Sequence, residues 1–180
     1  YHEEDAGPYF TSAIFLAKSP ETDIDNLSFH RGMYIDDNEI RIRLGSSHDL
    51  YRYQAAAEKK NKPLDVAMLI GVDPSIFIAA GATLPEDWSE LSFASSINNA
   101  PVDCYRAKSS DLSIPASTQI VIEGQILPNV KKPEGPFGEF QGYYVDVGDN
   151  NVFEVKNVYT KPSPVYHSLL CGSPEDISLL

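Results

Sequence analysis

The chain has 180 residues, 42% of them hydrophobic and 11% aromatic, with a formal net charge of −12 and a pI near 4.6. That is enough apolar material for one sizeable domain and too much for a disordered chain. The acidic balance excludes a broad nucleic-acid footprint and attraction to an anionic membrane, while leaving room for a local positive pocket. Two cysteines, Cys104 and Cys171, form no metal-ligand pattern and read as a reduced pair, which suits a cytoplasmic protein. No apolar run reaches membrane-spanning length. The chain opens on Tyr1 with neither a starting Met nor a signal peptide, and residues 1–180 read as a single domain of a longer protein.

Residues 9–18 are apolar and aromatic-rich and predict a buried strand. A polar turn over 19–25 leads to a second strand over 26–35, and Asp36-Asp37-Asn38 predicts a tight turn. Residues 39–44 alternate, with Ile40, Ile42 and Leu44 on one face and Arg41 and Arg43 on the other, which completes a hairpin. Ser46 or Ser47 caps a helix running to Lys60. Asp49 near its start and Lys59-Lys60 at its end suit the helix dipole. A buried strand covers 64–72. Asp73-Pro74 opens a short helix ending at Ala80, 81–86 form a loop, and Asp87 caps a helix over 88–97. Further strands are predicted over 102–108, 119–127, 143–147, 152–161 and 165–170, with a polar connection at 109–118 and a turn at 148–151. The pattern is α+β: a curved antiparallel sheet or split β-barrel with helices inserted between strands.

The chemistry concentrates in the loop Glu134-Gly-Pro-Phe-Gly-Glu139-Phe-Gln-Gly-Tyr143. Its breakers exclude a regular helix or strand and let the backbone approach a ligand closely. Paired carboxylates in unlike surroundings have their proton affinities pushed apart, so one donates a proton while the other stays charged. Taken alone, such a loop is a solvated acidic turn. In the second strand, Asn26, Ser28 and His30 alternate onto one face, and Arg31 points the other way unless the strand is irregular. Beside the two glutamates, Arg31 would hold one ionised and bind a substrate carboxylate; alone, it is a surface ion-pair residue. His48 at a helix start and Glu90 near another are individually bland, a polar cap and a solvated helix face. Imidazole, Asn carbonyl and carboxylate together suit Mn²⁺ or Mg²⁺.

In combination, Asn26-x-Ser28-x-x-Arg31, His48, Glu90, Ile122-Glu123-Gly124 and the 134–143 loop resemble, in order and spacing, the UbiD family of reversible, non-oxidative decarboxylases. These use prenylated FMN, which implies a flavin-binding split barrel. The resemblance runs from Tyr9 to about Asp176. It implies that Asn26, His48 and Glu90 hold a divalent metal, Mn²⁺ or Mg²⁺, bridging to the cofactor phosphate, with K⁺ as a further ion. It implies that Arg31, Glu134 and Glu139 form the catalytic network, and that Thr11, Asn26, Ser28, Phe29, His30, Arg31 and His48 contact the flavin or its phosphate. Glu123 carries no implied chemistry. The implied substrate is a small aromatic or α,β-unsaturated acid, and the implied partners are a flavin prenyltransferase that supplies the cofactor and further copies of the same protein. His30 fills a position often small in the family, and Gly-Ser-Ser precedes His48 where a bulkier residue is common. A phosphate-contacting Lys is expected beyond Leu180. The alternative reading is a non-catalytic cofactor-binding or assembly subunit of a split carboxylase.

Overall fold

The computed structural model describes residues 2–174; residues 175 and 176, the last covered by the resemblance, lie outside it. The strands are β1 (Tyr9–Phe10), β2 (Ile14–Lys18), β3 (Asp25–Phe29), β4 (Gly32–Asp36), β5 (Glu39–Ile42), β6 (Leu64–Ile70), β7 (Cys104–Arg106), β8 (Ser113–Pro115), β9 (Ile120–Glu134), β10 (Phe137–Gly138), β11 (Tyr144–Val145) and β12 (Gly148–Thr160). The helices are α1 (Asp49–Lys59), α2 (Pro74–Ala80) and α3 (Glu90–Asn98). Eight strands form one antiparallel sheet in the order β1-β4-β5-β12-β9-β6-β2-β3. Two small hairpins, β7–β8 and β10–β11, stand beside it.

The sheet has to curl, because chain connectivity forbids it to lie flat. β3 and β4 are six places apart in the sheet, roughly 29 Å at about 4.8 Å per strand. Only His30 and Arg31 join them, and three Cα steps reach no further than about 11 Å. β1 and β2 are also six places apart and are joined by residues 11–13 alone. Both links cross the gap between the sheet's two ends and draw them together into a split barrel. The predicted strands 9–18 and 26–35 are therefore each broken in two, at the crossing residues.

The curl makes two cores. Phe15, Ile40, Ile42, Met68, Ile122 and Phe153 fill the inside, with Leu50 and Ala57 of α1 packed against them. The outer face, carrying Ile14, Leu16, Leu27, Leu69 and Val121, is covered by Ile76 and Ala79 of α2 and Leu91 and Ala94 of α3. β2 and β6 lie between the two cores, which is why they read as unbroken apolar runs rather than alternating ones. Among the described residues no helix is long and apolar enough to cross a membrane.

Other boundaries move for local reasons. β9 extends to Glu134 instead of stopping at 127, and residues 148–151, expected to turn, belong to β12 and pair with it from Gly148↔Glu134 onward. Pro128 and Pro133 are tolerated because β6 leaves β9 after Ile126, so one edge there needs no donor. α1 begins at Asp49, with His48 rather than a serine at its N-cap and no capping bond from the side chain. Ser89, not Asp87, caps α3 by accepting from Ser92 N–H. Residues 113–115 form β8 within the expected polar connection. Residues 165–170 pair with no strand among the described residues; this segment lies across the crossing, where His167 carbonyl accepts from Ser12 Oγ at 2.5 Å and Leu169 N–H donates to Thr11 Oγ1 at 3.2 Å.

Glu123, in β9, is buried and turned away from the crossing. Its carboxylate accepts from Lys108 N–H at 2.8 Å, Ser109 N–H at 2.7 Å, Ser109 Oγ and Tyr159 Oη, so it pins the strand to the loop between β7 and β8. Burial pushes its carboxyl up, but these hydrogen bonds outweigh burial and hold it below its ordinary value near 4.5. A folded-state value below the unfolded one stabilises above the unfolded pKa, and that stability is lost as pH falls through the folded value. Glu123→Gln should therefore cost about 2–3 kcal/mol at neutral pH. The gap to the parent should narrow below about pH 4. Urea unfolding at both pH values measures it; a gap independent of pH would show that the charge is irrelevant.

Candidate active site

The two crossing links and the loop between β9 and β12 meet at the mouth of one cavity of about 530 Å³, within the range of small-molecule sites. Of the residues singled out from the sequence, Thr11, Asn26, Ser28, Phe29, His30, Arg31, His48, Glu90 and Glu139 line it; Glu134 stands behind Arg31. Because β3 ends at Phe29, Arg31 is released from strand alternation and turns into the site, while His30 stays on the side of Asn26 and Ser28 as the alternation predicts.

Arg31 joins the two glutamates. Nη2 donates to Glu134 Oε2 at 2.8 Å and Nη1 to Glu139 Oε1 at 2.5 Å, while the guanidinium lies 4.8 Å from the centre of the Phe137 ring. The carboxylates are not equivalent. The Glu134 side chain is fully buried and also accepts from Tyr9 Oη at 2.9 Å and Asn150 Nδ2 at 2.9 Å. Glu139 is 25% exposed, with Arg43 at 4.0 Å as its other cation. Burial, then the Glu134 charge, raises the Tyr9 phenol far above its ordinary value, so it stays protonated and donates. Arg31 Nε is buried without a hydrogen-bond partner among the described residues.

On the neighbouring wall, Asn26 Nδ2 donates to Glu90 Oε1 at 3.3 Å and to Asp49 Oδ2 at 3.5 Å, and Leu27 N–H donates to Glu90 Oε2 at 3.0 Å. Burial pushes the Glu90 carboxyl up against the pull of these hydrogen bonds. Asp49 is also paired with Arg52. Ser28 Oγ lies 3.1 Å from Asn26 Oδ1 and 2.9 Å from His30 Nε2. The His30 ring stands edge-on to His48, centroids 5.2 Å apart, and to Phe15. Burial, then repulsion from His48, lowers His30 to about 3, so it is neutral. His48 is exposed at the pocket; a Cβ on Gly45 would come within 2.7 Å of its ring, so glycine is what leaves the ring its room.

Among the described residues no three His, Cys, Asp or Glu side chains come together as a ready metal cluster. The donor set of Asn26, His48 and Glu90 reaches three only by counting an amide, and it is one imidazole with two oxygen groups, which fits a divalent ion such as Mn²⁺. Among the described residues the buried Arg31 Nε is an unsatisfied donor at the wall of the cavity.

Tyr9, Asn150, Arg43, Asp49 and Phe137 were not singled out from the sequence. Tyr9 had the appearance of strand filling and Asn150 of a turn residue. Only the long β9–β12 pairing carries Asn150 back to Glu134.

The 3-octaprenyl-4-hydroxybenzoate carboxy-lyase Rift-related domain, UbiD, matches residues 1–174. Anhydromevalonate phosphate decarboxylase of Methanothermobacter thermautotrophicus is 31% identical over 170 residues, covering 94% of this chain and 40% of that protein. An evolved dimeric form of the UbiD-class enzyme HmfF from Pelotomaculum thermopropionicum, solved in complex with prFMN, superposes with a TM-score of 0.96 at 37% identity, over 99% of this chain and 42% of that one. The closed form of Sedimentibacter hydroxybenzoicus vanillic acid decarboxylase gives 0.94 at 29% identity, over 99% and 39%. The chain thus spans about two fifths of the length of these relatives. With the glutamate pair on one arginine, the fold and the sequence in agreement, the chain belongs to the UbiD family of carboxy-lyases.

Proposed function

We propose that the protein catalyses the reversible, non-oxidative decarboxylation of an aromatic or α,β-unsaturated acid with prenylated FMN and a divalent metal, and that residues 1–180 are its cofactor-binding and catalytic domain. The observation that carries this reading is the sharing of Arg31 between a buried, saturated carboxylate and a half-open one at the mouth of the cavity. Asn26, His48 and Glu90 would hold the metal, and Thr11 with the residues of 28–31 would flank the flavin. When bound, prenylated FMN supplies the electron sink for the bond to CO₂.

The roles of the chain's own groups follow from their surroundings. Glu134 accepts three hydrogen bonds and has no access to solvent, so it is a fixed anion that orients Arg31. Arg31 binds the substrate carboxylate and holds it away from water. Glu139 has one carboxyl edge on Arg31 and part of its surface open, so it can pass a proton to the carbon that CO₂ leaves and be reprotonated from solvent.

The test is titration of the protein with prenylated FMN, with and without Mn²⁺, followed by flavin absorbance and thermal unfolding. Metal-dependent binding is expected, with about 2.7 kcal/mol of added stability at a hundredfold excess over Kd, and it should vanish in His48→Ala and Glu90→Gln. A folded protein that binds neither metal nor flavin overturns the reading.

A further inference from the structure

His30 is buried at the crossing. Its Nε2 lies 2.9 Å from Ser28 Oγ, a hydroxyl that accepts from an Nε2–H and donates to a bare Nε2. Either neutral tautomer therefore finds a partner. Ser28 has a single hydroxyl proton but touches two groups, His30 and Asn26. With the proton on His30 Nε2, the ring donates to Ser28, Ser28 donates to Asn26 Oδ1, and the Asn26 amide nitrogen faces Glu90 and Asp49. That arrangement turns a donor toward the place where a cation needs an oxygen. With the proton on Nδ1, the chain reverses. Ser28 donates to His30 Nε2, Asn26 Nδ2 donates to Ser28, and Asn26 Oδ1 faces Glu90. In the reversal the Ser28 hydroxyl and the Asn26 carboxamide rotate with their protons, and the ring loses a proton at Nε2 while gaining one at Nδ1 by exchange with water in the cavity, so the total is unchanged.

We propose that His30 is a positioning residue that acts through Ser28 to set which end of the Asn26 carboxamide faces Glu90, so that a divalent cation is received only when the three-residue relay has reversed. Asn26, Ser28 and His30 are all less than 8% exposed, so their protein partners dominate and the direction of the relay is imposed on the amide. Groups behind metal ligands typically change metal affinity by about 10- to 100-fold when removed. The proposal rests on the assignment of Asn26 to the metal, and its test separates the two.

Mn²⁺ affinity is measured for the parent, His30→Phe, Ser28→Ala and the double variant, alongside nitrogen NMR of labelled histidine in the parent with and without saturating Mg²⁺. In His30→Phe, Ser28 has only Asn26 Oδ1 to donate to, so affinity should fall about 10- to 100-fold. In the Ser28→Ala background the amide is free to turn, and adding His30→Phe should change little. The His30 proton should move from Nε2 to Nδ1 on binding Mg²⁺, a readout that stands even where His30→Phe fails to fold. Equal affinity in parent and His30→Phe, the same loss in both backgrounds, or a tautomer unchanged by Mg²⁺ overturns the relay and leaves the metal assignment intact. A parent that binds neither ion overturns both.

Discussion

Glu139→Gln is expected to abolish exchange of CO₂ with the substrate acid while the cofactor stays bound. The amide keeps the shape and can still accept from Arg31, but it has no proton to give to the carbon that CO₂ leaves. Loss of a positioned acid lowers rates by about 10²- to 10⁴-fold. Cofactor affinity should be unchanged, because Glu139 stands apart from the wall formed by Asn26, His48 and Glu90. Rate and affinity are read separately, by single-turnover exchange of labelled CO₂ and by flavin absorbance titration. Retained exchange would assign the proton to another group, and lost cofactor would make Glu139 a binding residue.

Arg31→Ala should have the largest effect on the fold itself. It leaves the Glu134 carboxylate buried, facing Tyr9 and Asn150 with no cation. Removing one partner of a buried ion pair costs about 3–5 kcal/mol, because the other charge is stranded. The double variant Arg31→Ala, Glu134→Gln should recover part of that loss, since the amide needs no countercharge. Urea unfolding of parent, both single variants and the double variant checks it. Additive losses in that cycle would show that the pair is not coupled in the folded protein.

The alternation of Ile40 and Ile42, the apolar runs of β2 and β6, and the three helices were legible because each depends on local pattern. The breaks at 11–13 and 30–31 were not. Tyr9 to Lys18 and Asn26 to Ile35 each carry strand-like residues throughout, and what breaks them is the closing of a sheet whose ends are the pairs β1–β4 and β2–β3, a long-range event. Prolines 128 and 133 hid the far half of β9 for a related reason: whether a strand tolerates proline depends on which edges are paired, and sequence does not show edges. For the site, the glutamate pair and Arg31 stood out by chemistry, whereas Glu90 gained meaning only from its order in the family pattern. Asn150 was invisible because its partner is sixteen residues away across a hairpin read as two separate strands.

Thr11, His30 and Arg31 sit on the very links that draw the sheet's ends together, so the site and the closure of the barrel share their residues. The pairing of Tyr9 with Met33 and of Phe10 with Gly32 sets the two links side by side on one shore of the seam between those ends, and a ligand gripping the links would bear on the same geometry. Each then strengthens the other by an equal factor. Where these links hold a cofactor, its affinity would accordingly be set in part by strands that do not touch it, and a substitution in the β1–β4 edge would tune the site from outside it.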